Sequence, residues 1–188
     1  MSVLLVIIVI IVVLVLLVGG AYNGLVKAQE QVNNAWSQIE TQLQRRYDLI
    51  PNLVETVKGY ASHESGTLQT VVAARNAVGA ALRDKTPEAV EAAQKATEQA
   101  RLAINAVAEA YPNLKANTNF LSLQEELTST EDRVSYSRQF YNDMVTKYNI
   151  KVQSFPTNLL AGMFGFKVRE TFQVDSAEVR QAPRVSFQ

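Results

Sequence analysis

Acid–base chemistry at neutral pH most often needs a histidine, and this sequence has one, His63, set in a turn between Ser62 and Glu64. It reads as a turn or cap residue. With no cysteine in the chain, disulfides, thiolate catalysis, Cys-ligated metals and lipid attachment through Cys are excluded. A di-iron helical site needs a Glu-x-x-His pair on each of two helices, which a single histidine cannot supply. The sequence also lacks Gly-x-Gly-x-x-Gly, a Walker lysine, Gly-x-Ser-x-Gly and His-Glu-x-x-His. The expectation is therefore no enzyme, no cofactor and no metal. Lys plus Arg and Asp plus Glu both number 18, so the formal charge is zero and no phosphate-binding surface is foreseen. Nucleic acid is not an expected partner.

Two polar features remain. The first is Arg45-Arg46-Tyr47-Asp48, the one basic pair beside an apolar helical stripe. By helix rise, Arg45 stands about 35 Å beyond the end of the N-terminal apolar segment, and the same height on the last long helix falls near Glu131-Asp132-Arg133. Ion pairs between Arg45 or Arg46 and Glu131, or a neighbouring acid, are expected to fix helix register rather than hold a ligand. The second is a recurrence of Tyr-Asn, at Tyr22-Asn23, Tyr141-Asn142 and Tyr148-Asn149, the last two one heptad apart. Their amides suit hydrogen bonding to backbone at the base of the helices, with Asn149 expected near Asn23.

The elements that must position these groups begin with Val3 to Val18, an unbroken run of Val, Leu and Ile. Extended to Tyr22 it is about 20 residues, which as a helix rises about 30 Å and matches the hydrocarbon core of a bilayer. Backbone polar groups in lipid must be satisfied within the segment, so a lone span must be helical despite its β-branched residues. Val3, Leu5, Ile8, Ile11, Leu14 and Leu17 are read as lipid-facing and Tyr22 as an interfacial anchor. A cleavable signal peptide would need a basic n-region, which Met1-Ser2 does not supply. Lys27 is the first charge after the span, so the positive-inside rule favours a single-pass cell-membrane protein with a cytoplasmic domain.

From Leu25 apolar residues recur at helical spacing. Val32, Trp36, Ile39, Leu43, Tyr47, Ile50, Val54, Val57 and Ala61 form one stripe that continues past Pro51, where a kink is expected. A turn at 62–66 with a capping serine precedes a second helix lined by Leu68, Val71, Val72, Val78 and Leu82. Thr86-Pro87-Glu88 starts a third: an N-cap hydroxyl, proline at the first helical position and an acid in the first turn. Both helices are rich in alanine, which lets axes approach closely. After a break at 112–117, Phe120, Leu123, Leu127, Thr130, Val134, Ser137, Tyr141, Met144 and Tyr148 keep a heptad, which slips at Lys151 to Val152 and Phe155.

Helices of about 36, 22, 25 and 36 residues with short connections predict an all-α fold: a transmembrane helix, then an antiparallel up-down-up-down four-helix bundle with long first and fourth helices. The expected divisions are an anchor over 1–21, the bundle over 22–155, an apolar segment and short extended tail over 156–175, and a flexible terminus over 176–188. The last long helix returns the chain to the bilayer surface, where Leu159, Leu160, Met163, Phe164 and Phe166 are expected either to touch lipid or a neighbouring subunit, or to cap the open end of the bundle.

Several of these stretches resemble the LemA family of bacterial membrane proteins, which has a magnetosome branch. The resemblance is carried by Tyr22-Asn23-x-Leu25-Val26, by Asn34-Ala35-Trp36-x-Gln38-Ile39, and by the block Gln42-Leu43-Gln44-Arg45-Arg46-Tyr47-Asp48-Leu49-Ile50-Pro51-Asn52-Leu53-Val54. It continues in Tyr111-Pro112-Asn113-Leu114-Lys115-Ala116-Asn117, Thr130-Glu131-x-Arg133, Ser137-Arg138-x-x-Tyr141-Asn142, Tyr148-Asn149 and Phe155-Pro156. What the resemblance implies is a membrane-anchored helical bundle with no established activity, and through the magnetosome branch a part in organising membrane. The resulting expectation is a non-enzymatic, membrane-tethered homo-oligomeric scaffold whose main partner is the lipid bilayer. The alternative is a monomeric adaptor docking an unidentified membrane protein, such as a protease, through Arg45-Arg46 or the tail after Lys167.

Overall fold

The computed structural model describes residues 2–173. Within them the chain is helical: α1 (Ser2–Tyr60), α2 (Ser65–Asp84), α3 (Pro87–Ala110), α4 (Pro112–Lys115), α5 (Thr118–Gln153) and α6 (Thr157–Phe164). The expected flexible terminus at 176–188, and residues 174–175 of the expected tail, lie outside the described residues.

The apolar run and the first amphipathic helix are one element of 59 residues, which passes through the expected boundary at 21/22 and through Pro51. Val3 to Val18 are exposed along their whole length, so this part of α1 buries nothing within the chain. Burial starts at Leu25 and follows Ala28, Val32, Ala35, Ile39 and Leu43, then Ile50, Leu53 and Val57. One member of that seam is charged: Arg46 is completely buried. Tyr47, taken from its apolar character as the stripe residue, is only partly buried.

α5 lies along α1 with residues paired in reverse order. Lys151 Nζ donates to the Gly24 carbonyl at 3.3 Å, Arg45 pairs with Glu126, and Asn117 Nδ2 donates to Tyr60 Oη at 2.9 Å. Asn117 also caps α5, its Oδ1 accepting from Phe120 N at 2.9 Å. The heptad slips earlier than expected. After Tyr141 the buried positions are Val145, Tyr148 and Val152, so Val145 takes the place assigned to Met144. Phe155, expected in the seam, is 80% exposed because α5 ends at Gln153 and Ser154 turns the chain outward.

α2 and α3 form a hairpin laid on α1. Thr86 Oγ1 accepts from Ala89 N at 3.2 Å, and Pro87 occupies the first turn. Lys85 adopts φ +53° and its Nζ reaches Glu40 at 2.9 Å, a contact that ties the tip of the hairpin to α1. The start of α2 differs from expectation. Its N-cap is Glu64, with no side-chain cap, because the carboxylate instead accepts from Tyr111 Oη at 3.2 Å across the far end of the hairpin. Gly79 lets Tyr47 pack closely: a Cβ there would sit 3.2 Å from the Tyr47 ring, which also carries the Arg75 guanidinium at 4.4 Å.

Candidate functional site

α5 delivers the chain back to the level of Tyr22, and α6 is built on that junction. It packs on α1 and α5, burying Ala161 and setting Leu160 against the core. Phe164 and Phe166 meet the Tyr22 ring edge-on, at centroid distances of 4.9 and 5.9 Å. Among the described residues the opposite stripe of α6 has no cover: Leu159 is 60% and Met163 78% exposed, in line with exposed Phe155 just before the helix. A helix of eight residues that is apolar on both faces thus seals the base of the domain and presents a second apolar face outward.

Beyond Gly165, which takes the left-handed φ of +76° that a helix C-terminus often requires, the chain runs back along α5 as a strap without regular structure. Two asparagines hold it by its backbone. Asn149 accepts from Arg169 N at 2.9 Å and donates to Arg169 O at 2.8 Å. Asn142 accepts from Phe172 N at 2.9 Å and donates to Phe172 O at 3.1 Å. The spacing explains the match: seven helical residues rise about 10 Å, as do three extended residues. Tyr141 Oη adds a bond to Glu170 O at 3.2 Å.

The strap ends in an aromatic cluster. Phe172 is buried, stacked on Trp36 at 5.9 Å with the rings 8° from parallel, and edge-on to Tyr141 at 5.4 Å. The Arg138 guanidinium covers its ring at 4.7 Å while bonding Glu91 at 3.2 Å and also Gln94 of α3. Burial raises the Tyr141 and Tyr148 phenols above their ordinary range, more than the nearby Arg169 lowers them.

The sequence candidates are distributed along the whole length of the molecule. Val3, Leu5, Ile8, Ile11, Leu14 and Leu17 are exposed on the free N-terminal third of α1, and Tyr22 lies at its junction with α6. Arg45 and Glu126 are a half-exposed pair. Arg46 donates through Nε to Thr130 Oγ1 at 3.3 Å, and its two Nη atoms have no partner among the described residues. Burial lowers its pKa, opposed by the charge of Glu131, which touches neither arginine as an ion pair. The Tyr-Asn recurrence signalled backbone-binding amides; the segment they bind, and the roles of Trp36, Arg138 and Phe172, were not visible from it.

Set against known proteins, residues 35–187 match the family model described as the LemA family. This chain belongs to the LemA family. Among its relatives, Protein LemA of Metamycoplasma hominis is 28% identical over 169 residues, covering 86% of this chain and 76% of the relative. Magnetosome protein MamQ 2 of Paramagnetospirillum magneticum is 29% identical over 175 residues, covering 81% and 64% respectively. Magnetosome protein MamQ of Magnetospirillum gryphiswaldense is 26% identical over 174 residues, covering 80% and 64%. The chain therefore spans less than two thirds of the magnetosome relatives. In a LemA-family chain, the apolar N-terminal third of α1 fits a membrane location.

Proposed function

We propose that this LemA-family protein is a single-pass, non-enzymatic membrane protein whose domain, an antiparallel up-down-up-down four-helix bundle, self-assembles into a membrane-organising scaffold. The observation that carries the reading is the uncovered stripe of Phe155, Leu159 and Met163, set where the lipid-length apolar run gives way to Tyr22. A surface of that kind at that height faces either the bilayer interface or the base of a neighbouring copy. The magnetosome names of several relatives support a role in organising membrane.

The test is the molar mass of the full chain in a gentle detergent, by light scattering with the detergent contribution subtracted, beside a chain beginning at Tyr22. A large, discrete assembly that falls to monomer without the apolar run is expected. Monomers in both would sink the scaffold and leave the adaptor, for which exposed Arg45, rather than buried Arg46, would be the basic contact.

The bundle is proposed to face the cytoplasm, on the strength of Lys27 following the span. The absence of native cysteine makes this directly measurable. A cysteine placed at exposed Tyr136 should resist a membrane-impermeant maleimide in intact cells and react after lysis; reaction in intact cells would reverse the orientation.

A further inference from the structure

α1 packs along α5, α2 along α3, and α1 along α2, but α3 and α5 stand apart. Among the described residues their side chains hydrogen-bond at two levels: Gln124 Nε2 donates to Asn105 Oδ1 at 2.8 Å, and Arg138 bonds Glu91 and Gln94. Fourteen residues of α5 separate those levels, about 21 Å of helix. Between them opens a cavity of about 210 Å³ that reaches the inner faces of all four long helices.

Its floor is apolar: Ile50 and Leu53 from α1, Val71 and Ala74 from α2, Ala100 and Ile104 from α3. The hollow follows from the sequence. α2 and α3 each turn one alanine, Ala74 and Ala100, toward the space, so two methyl groups stand where a filled core would carry leucine. At the mouth, Arg101 is committed to Glu98 by two bonds of 2.6 and 2.8 Å. Glu131 of α5, half-buried on the same rim, makes no side-chain hydrogen bond or ion pair among the described residues, which leaves its carboxylate as an open acceptor.

The charge of an occupant is constrained. Arg46 and Arg101 both feel the charge of Glu131. A cation would meet the Arg101 guanidinium on the rim, and an anion would meet the Glu131 carboxylate. A neutral molecule with one N–H or O–H would give Glu131 a hydrogen-bond partner without bringing a further charge out of water. An apolar cavity of about 150 Å³ takes up benzene, so this one suits a body about the size of indole.

We propose that the opening between α3 and α5 binds a small, uncharged, mainly apolar molecule carrying one hydrogen-bond donor, its body on Ile50, Leu53, Ala74 and Ala100 and its donor on Glu131. Indole is the probe, with naphthalene as a donor-free control of similar size, added to the full chain in detergent while thermal unfolding is followed by circular dichroism. At about a hundredfold excess over Kd, indole is expected to raise Tm by roughly 5–10 °C. Naphthalene, and indole on Glu131→Leu, should bind about tenfold more weakly or worse.

Ala100→Leu fills the floor and should abolish the indole response, while partition into detergent is the same for every variant. If that variant does not fold, Ala74→Val narrows the same space and is expected to weaken indole binding by about tenfold. No Tm rise in the unaltered chain, or a rise that survives Ala100→Leu or is equal for naphthalene, overturns the proposal.

Discussion

Replacing Phe172 with alanine is expected to destabilise the folded domain by about 3–5 kcal/mol, the range for deleting a buried aromatic ring. Phe172 is 3% exposed and three different groups close over it: Trp36 on one face, Tyr141 at the edge and the Arg138 guanidinium. Truncation removes the ring stacking as well as the buried area, and the pocket opens to water because the strap forms its outer wall. The chain has a single tryptophan, and it is the residue that Phe172 stacks upon. Phe172→Ala should therefore shift tryptophan emission to the red, lower the urea midpoint, and let the Tyr141 phenol titrate closer to its ordinary range as its burial is lost. Unchanged emission together with an unchanged midpoint would show that the strap contributes no stability. The amide bonds from Asn142 and Asn149 would remain in the variant, so the loss reports on the ring rather than on the backbone clamp.

Arg46→Met is expected to change stability in the opposite direction, raising it by about 1–4 kcal/mol. The guanidinium is wholly enclosed in the seam between α1 and α5, with one bond from Nε to Thr130 and two nitrogens unpartnered among the described residues. Taking such a charge out of water costs several kcal/mol, and the attraction of a carboxylate that does not touch it recovers only part. Methionine keeps the length and much of the volume without the charge. Equilibrium unfolding in urea measures the change. A loss of stability on Arg46→Met would mean that the two Nη atoms are satisfied inside the seam, as by a buried water, which is the condition under which a buried charge stabilises. A gain in stability with loss of the light-scattering assembly would mark the charge as retained for association rather than for folding.

These two positions also show where sequence reasoning reaches and where it stops. The helices themselves were legible because burial imposes a period: the apolar steps of α1 and α5 mark the faces that pack, and Thr86-Pro87 marks a start whose hydrogen bond is local. Arg46 was not legible as a core residue, although it lies three residues after Leu43 and four before Ile50, the spacing of the buried seam. A reading based on apolarity passes over a charge and selects Tyr47 beside it. The strap was hidden for another reason. Asn142 and Asn149 announce unspent hydrogen bonds, but their partners at Arg169 and Phe172 are set by where α6 releases the chain, a tertiary outcome with no periodic trace. α6 is short enough that an apolar run of its length reads equally as helix, strand or cap. The α3–α5 opening is an absence of packing, and no pattern of residues records an absence.

The continuity of α1 has a mechanical meaning. A domain joined to an anchor by a loop can swivel without the bilayer taking notice, but here the apolar run and the central beam of the domain are the same 59-residue helix, about 88 Å end to end. With the apolar third in lipid, a tilt of about 20° to accommodate a thinner membrane carries Tyr60 sideways by about 20 Å, since roughly 57 Å of helix lies beyond Tyr22. The molecule is then a lever with its fulcrum at the interface, and an array of such levers would translate differences in bilayer thickness into the spacing between neighbouring domains.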